Sequence, residues 1–375
     1  MPRVLFVEPF YGGSHKAFLD GLVTHSRHEF ESLTLPDGEW RRRMRRGAQE
    51  LAPMARDLDG DFDCLIASDM LDLPAFLALT RPRFERTPVA VYFHENQMTY
   101  PRIKGTKFNS WFGQINYMSA LAADAVAFNS DFHRQDFFGA LWYLEEQPNN
   151  WLLAEGIAAV EAKASVLPVG VELDWLNAIP EGNREGGAPT LLWNHRWEFD
   201  KAPELFVRAL RHAKAQGWPF RLIVAGEPGD NPSEAILGLP GEFADEIVHF
   251  GYAESKSEYG RLLKQADIVV STTRHEFFGI GMIEAMAAGC VPLAPRRYNY
   301  PALVPEGLHE QLLWEDEAGL FSRLGSLLSG KLPERATIVH SARRYSWDVV
   351  ASEWDHYIEA FSHSEFATER RVSPH

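Results

Sequence analysis

Short apolar, β-branched runs recur along the chain, each followed by a turn-rich break and a longer stretch of helical spacing. They fall at 4–7, 30–35, 63–67, 89–93, 124–128 and 164–169, and then at 190–194, 220–225, 247–251, 266–271 and 291–294. Runs this short read as strands, with 4–7 and 266–271 buried. Alternating with helices, expected among others at 74–80, 111–123, 319–328 and 346–361, they predict an α/β protein with doubly wound parallel sheets. A break at 180–189, rich in Gly, Glu and Asn, parts the pattern into two halves. The expected organisation is therefore a domain over 1–180, a second over 188–345, a last helix over 346–361 and a frayed polar tail over 362–375. Residues 145–161, with Pro148, Asn149 and Asn150, read as irregular.

The stretch 274–292 departs most from mere core-building. A strand at 266–271 leads into a loop with Glu276, and an apolar helix rich in Ala and Met starts near Gly279 and carries Glu284. Seven residues separate the acids, so one precedes the helix and the other lies about a turn and a half inside it. Backbone N–H groups at Phe278, Gly279, Ile280 and Gly281 point out of the helix start, and the glycines admit a ligand. The amides suit a phosphate and the carboxylates accept sugar hydroxyls. One acid alone would read as a cap or an ion-pair partner; two at this spacing around Phe-Gly-Ile-Gly favour a ligand site. Arg196 and Lys201 flank the loop after the 190–194 strand, and a guanidinium fork with an ammonium suits a diphosphate. A surface pairing with Glu198 or Asp200 is the alternative. Gly12 and Gly13 follow the first strand, in the layout of a loop that approaches phosphate or sugar. His94 stands just past the 89–93 strand, where ligands of open α/β sheets bind.

Charge sharpens the picture only locally. The 375 residues carry a formal charge of −15, so a polyanion would have to meet a local basic patch. Trp40 to Arg46 holds five arginines in seven positions, among them Arg41, Arg42 and Arg43. The run fits either a solvated helix start or contact with phosphates and bases. With Arg81, Arg83 and Arg86, and with Arg102, Lys104 and Lys107, it could form one basic rim around the mouth that His94 faces. Cys64 and Cys290, both in apolar strand contexts, read as buried free thiols in a reducing cytosol. The chain enters a strand at once rather than through a signal peptide, and no apolar run approaches ~20 residues, so neither export nor a membrane span is expected. No Gly-rich lysine loop, Cys-x-x-Cys or His-Glu-x-x-His motif is present.

Two resemblances add to this reading. Glu276 and Glu284 around a Phe-Gly turn, with Glu-Ala-Met-Ala-Ala-Gly and a strand, resemble the signature of the retaining nucleotide-sugar glycosyltransferases of family four. The run from Glu8 through Phe10-Tyr11-Gly12-Gly13-Ser14-His15-Lys16, the run Tyr92-Phe93-His94-Glu95-Asn96-Gln97-Met98-Thr99-Tyr100-Pro101 and the run Ala123-Asp124-Ala125-Val126-Ala127-Phe128-Asn129-Ser130 resemble the tRNA-queuosine α-mannosyltransferases within that family. The resemblance implies a GT-B fold, two Rossmann-like domains facing across a cleft, with the last helix returning to the first domain. It implies a cytoplasmic, retaining, metal-independent transfer of mannose from GDP-mannose, with no cofactor, to queuosine at the wobble position of tRNA-Asp. Glu276 would touch the transferred sugar together with His94. Glu284 would hold the ribose, Arg196 and Lys201 the diphosphate, Gly12 and Gly13 the donor phosphates and Tyr252 the base, with Gly226 also on the donor. Trp40, Arg41, Arg42, Arg43, Asn96, Tyr100 and Lys104 would meet the acceptor. A family-four transferase with another donor and a lipid, glycan or small-metabolite acceptor is the competing reading.

Overall fold

The computed structural model describes residues 1–101, 110–182, 187–229 and 232–363. Its strands form two six-stranded parallel sheets. The first contains β1 (Arg3–Tyr11), β2 (Glu29–Pro36), β3 (Cys64–Ser68), β4 (Val89–Phe93), β5 (Ala125–Phe128) and β6 (Ala164–Val166), in spatial order 2-1-3-4-5-6. The second contains β7 (Thr190–Trp193), β8 (Arg221–Ala225), β9 (Ile247–Gly251), β10 (Ile268–Val270), β11 (Val291–Pro295) and β12 (Leu313–Trp314), in order 12-11-10-7-8-9. The expected α/β, doubly wound class is what the chain adopts. In each sheet the winding reverses beside the first strand, between β1 and β3 and between β7 and β10, and ligands bind beyond the carboxyl ends at such a reversal.

Two compact units part at Gly170/Val171 and again at Ser346/Trp347. The first boundary lies before the expected 180 because residues 171–179 belong with the second sheet. Val171 bridges Ser346, and Gly260 is packed so closely under Trp175 and Ile179 that a Cβ there would lie 2.6 Å from the indole. The last helix, Trp347–Ser362, belongs to the unit of the first sheet. Trp347 covers Gly21 and Gly170, Trp354 lies 4.7 Å from the Tyr92 ring and donates to Pro168 O at 3.1 Å, and Asp355 accepts from Ser26 Oγ. Large aromatic burial of this kind supplies much of a core's cohesion.

Two sequence expectations are corrected. Residues 145–161 are not irregular throughout: Ala154–Ala162 is a helix whose Ile157 and Val160 are buried, and its alanines and lone glycine hid the amphipathic spacing. The arginine run is the opening of a seventeen-residue helix, Trp40–Arg56, the helix start that was one of its two readings. Its inner face (Met44, Gly47, Ala48 and Leu51) is buried, and this packing outweighs the poor fit of positive charge to a helix start. The single basic rim does not form either. Arg81, Arg83 and Arg86 precede β4 and so lie at the amino end of that strand, whereas His94 follows its carboxyl end. Arg83 donates to the carbonyls of Leu58 and Gly60 at 2.6 and 2.8 Å, and Arg81 pairs with Glu85 at 2.6 Å. Arg102, Lys104 and Lys107 lie outside the described residues. Cys64 and Cys290 are buried free thiols. Among the described residues no helix is long and apolar enough to cross a membrane.

Candidate functional site

At the reversal point of the second sheet, the loop after β10 is fastened to the short turn Phe199–Lys201 that follows β7. Thr272 Oγ1 donates to Lys201 O at 2.9 Å, Thr273 Oγ1 to Asp200 O at 3.0 Å and Arg274 N to Asp200 O at 2.6 Å. The turn ends on Ala202, a non-glycine residue at φ 47° immediately before Pro203, a conformation that costs roughly 1–2 kcal/mol. The clamp holds Lys201 Nζ 3.0 Å from Asp200 Oδ2 and 3.9 Å from Glu276 Oε2. Burial works against the ammonium, but Glu276 and Asp200 override it and keep Lys201 above its ordinary pKa. The two imidazoles beside it take the opposite course. His195 is pushed down to about 3 and His275 to about 4, by burial first and then by the Lys201 charge, so both are neutral.

The helix Ile280–Ala287 starts on Gly279 at φ 104°, a conformation open to glycine and strained for other residues. Its first intrahelical bond is Ile283 N to Gly279 O, 3.1 Å, so the amides of Ile280, Gly281 and Met282 precede it. Phe278 differs from expectation. Its ring is buried against Tyr345 and its N–H donates to Glu276 Oε1 at 3.4 Å, so it orients Glu276 instead of presenting an amide to a ligand. Only Ile280, Gly281 and Glu284 interrupt the burial of this helix, and they lie on one side of it. Gly281 and Glu284 there line a cavity of about 460 Å³ together with Arg196, Gly226, Tyr252 and Lys256. Glu284 Oε2 accepts from Tyr259 at 3.2 Å, and Asn194 Nδ2 donates both to Tyr259 Oη and to Gly281 O at 2.9 Å. Burial raises the Glu284 carboxyl to about 7, against the pull of Tyr259 and Lys256. Tyr252 presents a ring that is 66% exposed. Arg196 is exposed and 3.4 Å from Glu198, the surface pairing foreseen as the alternative. Gly226 lies so close to His195 O that a Cβ would meet it at 1.9 Å, which makes it a packing requirement between two strand exits.

In the first unit, residues at the carboxyl ends of β1, β3 and β4 converge on His94. Its backbone N–H donates to Asp69 Oδ1 at 2.9 Å, its ring lies 4.2 Å from that of His15, and its buried Nε2 has no protein partner. His15 Nδ1 meets Glu8 Oε2 at 2.9 Å. Glu8, His15 and His94 offer potential metal-ligating atoms within 4.8 Å of one another. Gly13 takes φ 51°, and a Cβ on Gly12 would collide with Asp37.

The residues expected at the acceptor fare unevenly. Asn96 is fully buried, and its Oδ1 accepts from Met98 N at 3.0 Å and Thr99 N at 3.1 Å. It therefore shapes the loop after β4 and is not a surface contact. Tyr100 is half-buried and Lys104 lies outside the described residues. Arg43 is drawn in to Glu50 at 3.2 Å, while Arg41 stacks over Trp40 at 4.4 Å. Arg45 lies 5.3 Å over the exposed ring of Trp111, a residue sequence reasoning passed over. Glu8, His15, Asp69, Asn194 and Tyr259 also went unassigned. The available signal for Glu8 was a carboxylate at the end of an apolar strand; Asp69 and Asn194 stand just past theirs.

The comparisons agree with this layout. The family described as tRNA-queuosine alpha-mannosyltransferase N-terminal matches residues 3–171, and glycosyl transferases group 1 matches residues 188–330. The tRNA-queuosine alpha-mannosyltransferase of Drosophila melanogaster is 34% identical over 314 residues, 81% of this chain and 82% of that protein. A GDP-mannose:cellobiosyl-diphosphopolyprenol alpha-mannosyltransferase of Xanthomonas campestris is 26% identical, over 58% of this chain and 52% of that protein. Among solved structures, the N-terminal domain of Candida albicans trehalose-6-phosphate phosphatase has a TM-score of 0.72 at 13% identity, covering 96% of this chain and 97% of the other. Sucrose-phosphate synthase from Thermosynechococcus elongatus has a TM-score of 0.70 at 16% identity, covering 97% and 100%. At such identities the structures speak for the fold, which is of GT-B type. With most of its length aligned to the Drosophila protein, the chain belongs to the tRNA-queuosine alpha-mannosyltransferase family.

Proposed function

We propose that the protein moves mannose from GDP-mannose to the queuosine base at the wobble position of tRNA-Asp, with retention at the anomeric carbon and without a metal. The observation that carries this reading is the Lys201–Glu276 pair set beside the amides of Ile280, Gly281 and Met282. It offers cation, dipole and carboxylate to one phosphosugar. The Drosophila relative's activity supports the acceptor, and the Xanthomonas relative's name supports the donor. In the reaction the acceptor hydroxyl oxygen bonds to the anomeric carbon from the leaving-group face. The bond from that carbon to the diphosphate oxygen breaks, GDP departs with the electron pair, and its phosphate oxygen takes the hydroxyl proton. Lys201, Arg196 and the helix start stabilise charge building on the diphosphate, the office a metal would otherwise fill. Glu276 accepts hydrogen bonds from sugar hydroxyls, Glu284 from the ribose, and Tyr252 stacks on the base. From family likeness, His94 is assigned to the sugar and Gly12–Gly13 to the phosphates. On the acceptor side, the Trp40, Arg41, Arg45 and Trp111 cluster interleaves guanidinium and indole, as surfaces that hold RNA do.

Glu276→Ala and Lys201→Ala should each lower turnover by at least ~100-fold, the scale of one lost preorganised electrostatic contact. Wild-type turnover should persist in excess chelator. Near-normal rates in either variant with unchanged melting, or a complete and reversible loss on chelation, would contradict the site.

Glu284 gives a pH test. Its carboxyl holds a proton up to about pH 7, whereas ribose hydroxyls are better accepted by the ionised form. GDP affinity measured by calorimetry should rise about tenfold between pH 6 and 8 beyond what the phosphate's own ionisation produces. Glu284→Gln should retain only the phosphate contribution; equal pH dependence in both proteins removes Glu284 from the ribose.

Affinity for tRNA should fall with salt, at a slope of ~0.7–0.9 per phosphate contact. Arg41→Ala, Arg42→Ala and Arg46→Ala combined, which spare the Arg43–Glu50 pair, should flatten that slope and leave GDP binding intact. An unchanged slope would place the RNA elsewhere.

A further inference from the structure

Glu8 is fully buried, yet it carries a carboxylate that burial alone would penalise heavily. Three donors meet it: Phe10 N at 2.8 Å, Ser68 Oγ at 3.0 Å and His15 Nδ1 at 2.9 Å. Only the last can supply a charge. His15 in turn packs its ring on His94, whose other walls are Phe18 at 4.7 Å and Tyr92 at 4.8 Å, both edge-to-face. The main chain of His94 is pinned from both sides, by Asp69 at its N–H and by Asn129 Nδ2 at its carbonyl, 2.8 Å away. The ring's Nε2 is buried and has no hydrogen-bond partner.

We propose that Glu8 and His15 are a positioning pair for His94: their buried ion pair fixes the plane of its ring and holds the shared proton on His15. The inference deepens the transfer reading, since it concerns the residue assigned to the sugar. Beside a sugar that gains positive charge in the transition state, a charged His94 would be repulsive, while a neutral ring still offers its Nε2. The His15 charge does little harm there because Glu8 matches it at 2.9 Å. The groups that face the two rings are Glu8 from β1, Asp69 after β3, Glu95 in the same loop as His94, and His133 from the helix Asp131–Glu145. Burial opposes charge on His15, but Glu8 first, then Asp69 and Glu95, raise it to about 9. Burial first, then the His15 and His133 charges, push His94 well below its ordinary value. Asp69 is itself raised to about 8, by burial first. A group raised in the fold favours the folded state fully below its unfolded pKa, so the pair's contribution is intact below about 6.5 and is lost as pH rises through about 9.

The direct test is the titration of the imidazole nitrogens by NMR on the wild-type protein without substrate. The expected result is His15 losing its proton near pH 9 and His94 not titrating between pH 5.5 and 8. In Glu8→Gln His15 should lose its proton well below pH 9, because burial then meets less opposition, and kcat at pH 7.5 should fall about tenfold with KM for the donor nearly unchanged. His15 titrating near 6.5 in the wild type overturns the proposal whatever the variant does. So does a Glu8→Gln protein that only melts earlier, with an unchanged kcat and unchanged His94 ring signals. If one equivalent of Zn²⁺ perturbs both rings and restores activity lost to a chelator, the cluster is a metal site and the pairing is wrong. Because the ring titrations need no substrate, absence of transfer with GDP-mannose would count against the donor reading and leave this result standing.

Discussion

The ammonium of Lys201 is the constraint on which the second unit's site depends. A buried charge is tolerated only when it is matched and held, and here the matching groups come from two separate loops: Asp200 from the turn after β7 and Glu276 from the loop after β10. Thr272, Thr273 and Arg274 tie those loops together, so the charge pair and the backbone clamp fix one another. The left-handed Ala202 and Gly279 then follow as local costs of bringing two strand exits to one point, and strain of this kind concentrates where function requires a set geometry. The first unit solves a similar problem differently. Its buried carboxylate, Glu8, is matched by a histidine four residues past the close of β1, and the matched pair serves as one wall for His94.

Much of this architecture was legible in the chain. Strand runs such as 89–93 and 247–251 coincide with β4 and β9, because both are short, apolar and bounded by turn residues. The spacing of Glu276 and Glu284 around Phe-Gly-Ile-Gly announced the helix start, and the structure does bring Glu276 beside Lys201. What stayed hidden were convergences set by topology. Glu8, Asp69 and His94 are far apart in sequence and meet only because β1, β3 and β4 are neighbours. Asn194 and Tyr259 join Glu284 for the same reason. The differences have a common source as well: a polar residue's place in the sequence does not show which end of a strand, or which side of the surface, it occupies. Asn96 turned inward to shape a loop, Arg83 was spent on backbone carbonyls at the far end of β4, and the arginine helix is held by the apolar face beneath it.

The central claim is that the Lys201–Glu276 geometry serves mannosyl transfer to a modified tRNA base. Its most direct measurement is the product mass of tRNA-Asp after incubation of the purified protein with GDP-mannose. The account predicts that queuosine-containing tRNA gains one hexose on the modified nucleoside and that otherwise identical tRNA lacking queuosine gains nothing. Hexose on both tRNAs, or on neither while another acceptor is glycosylated, would contradict it.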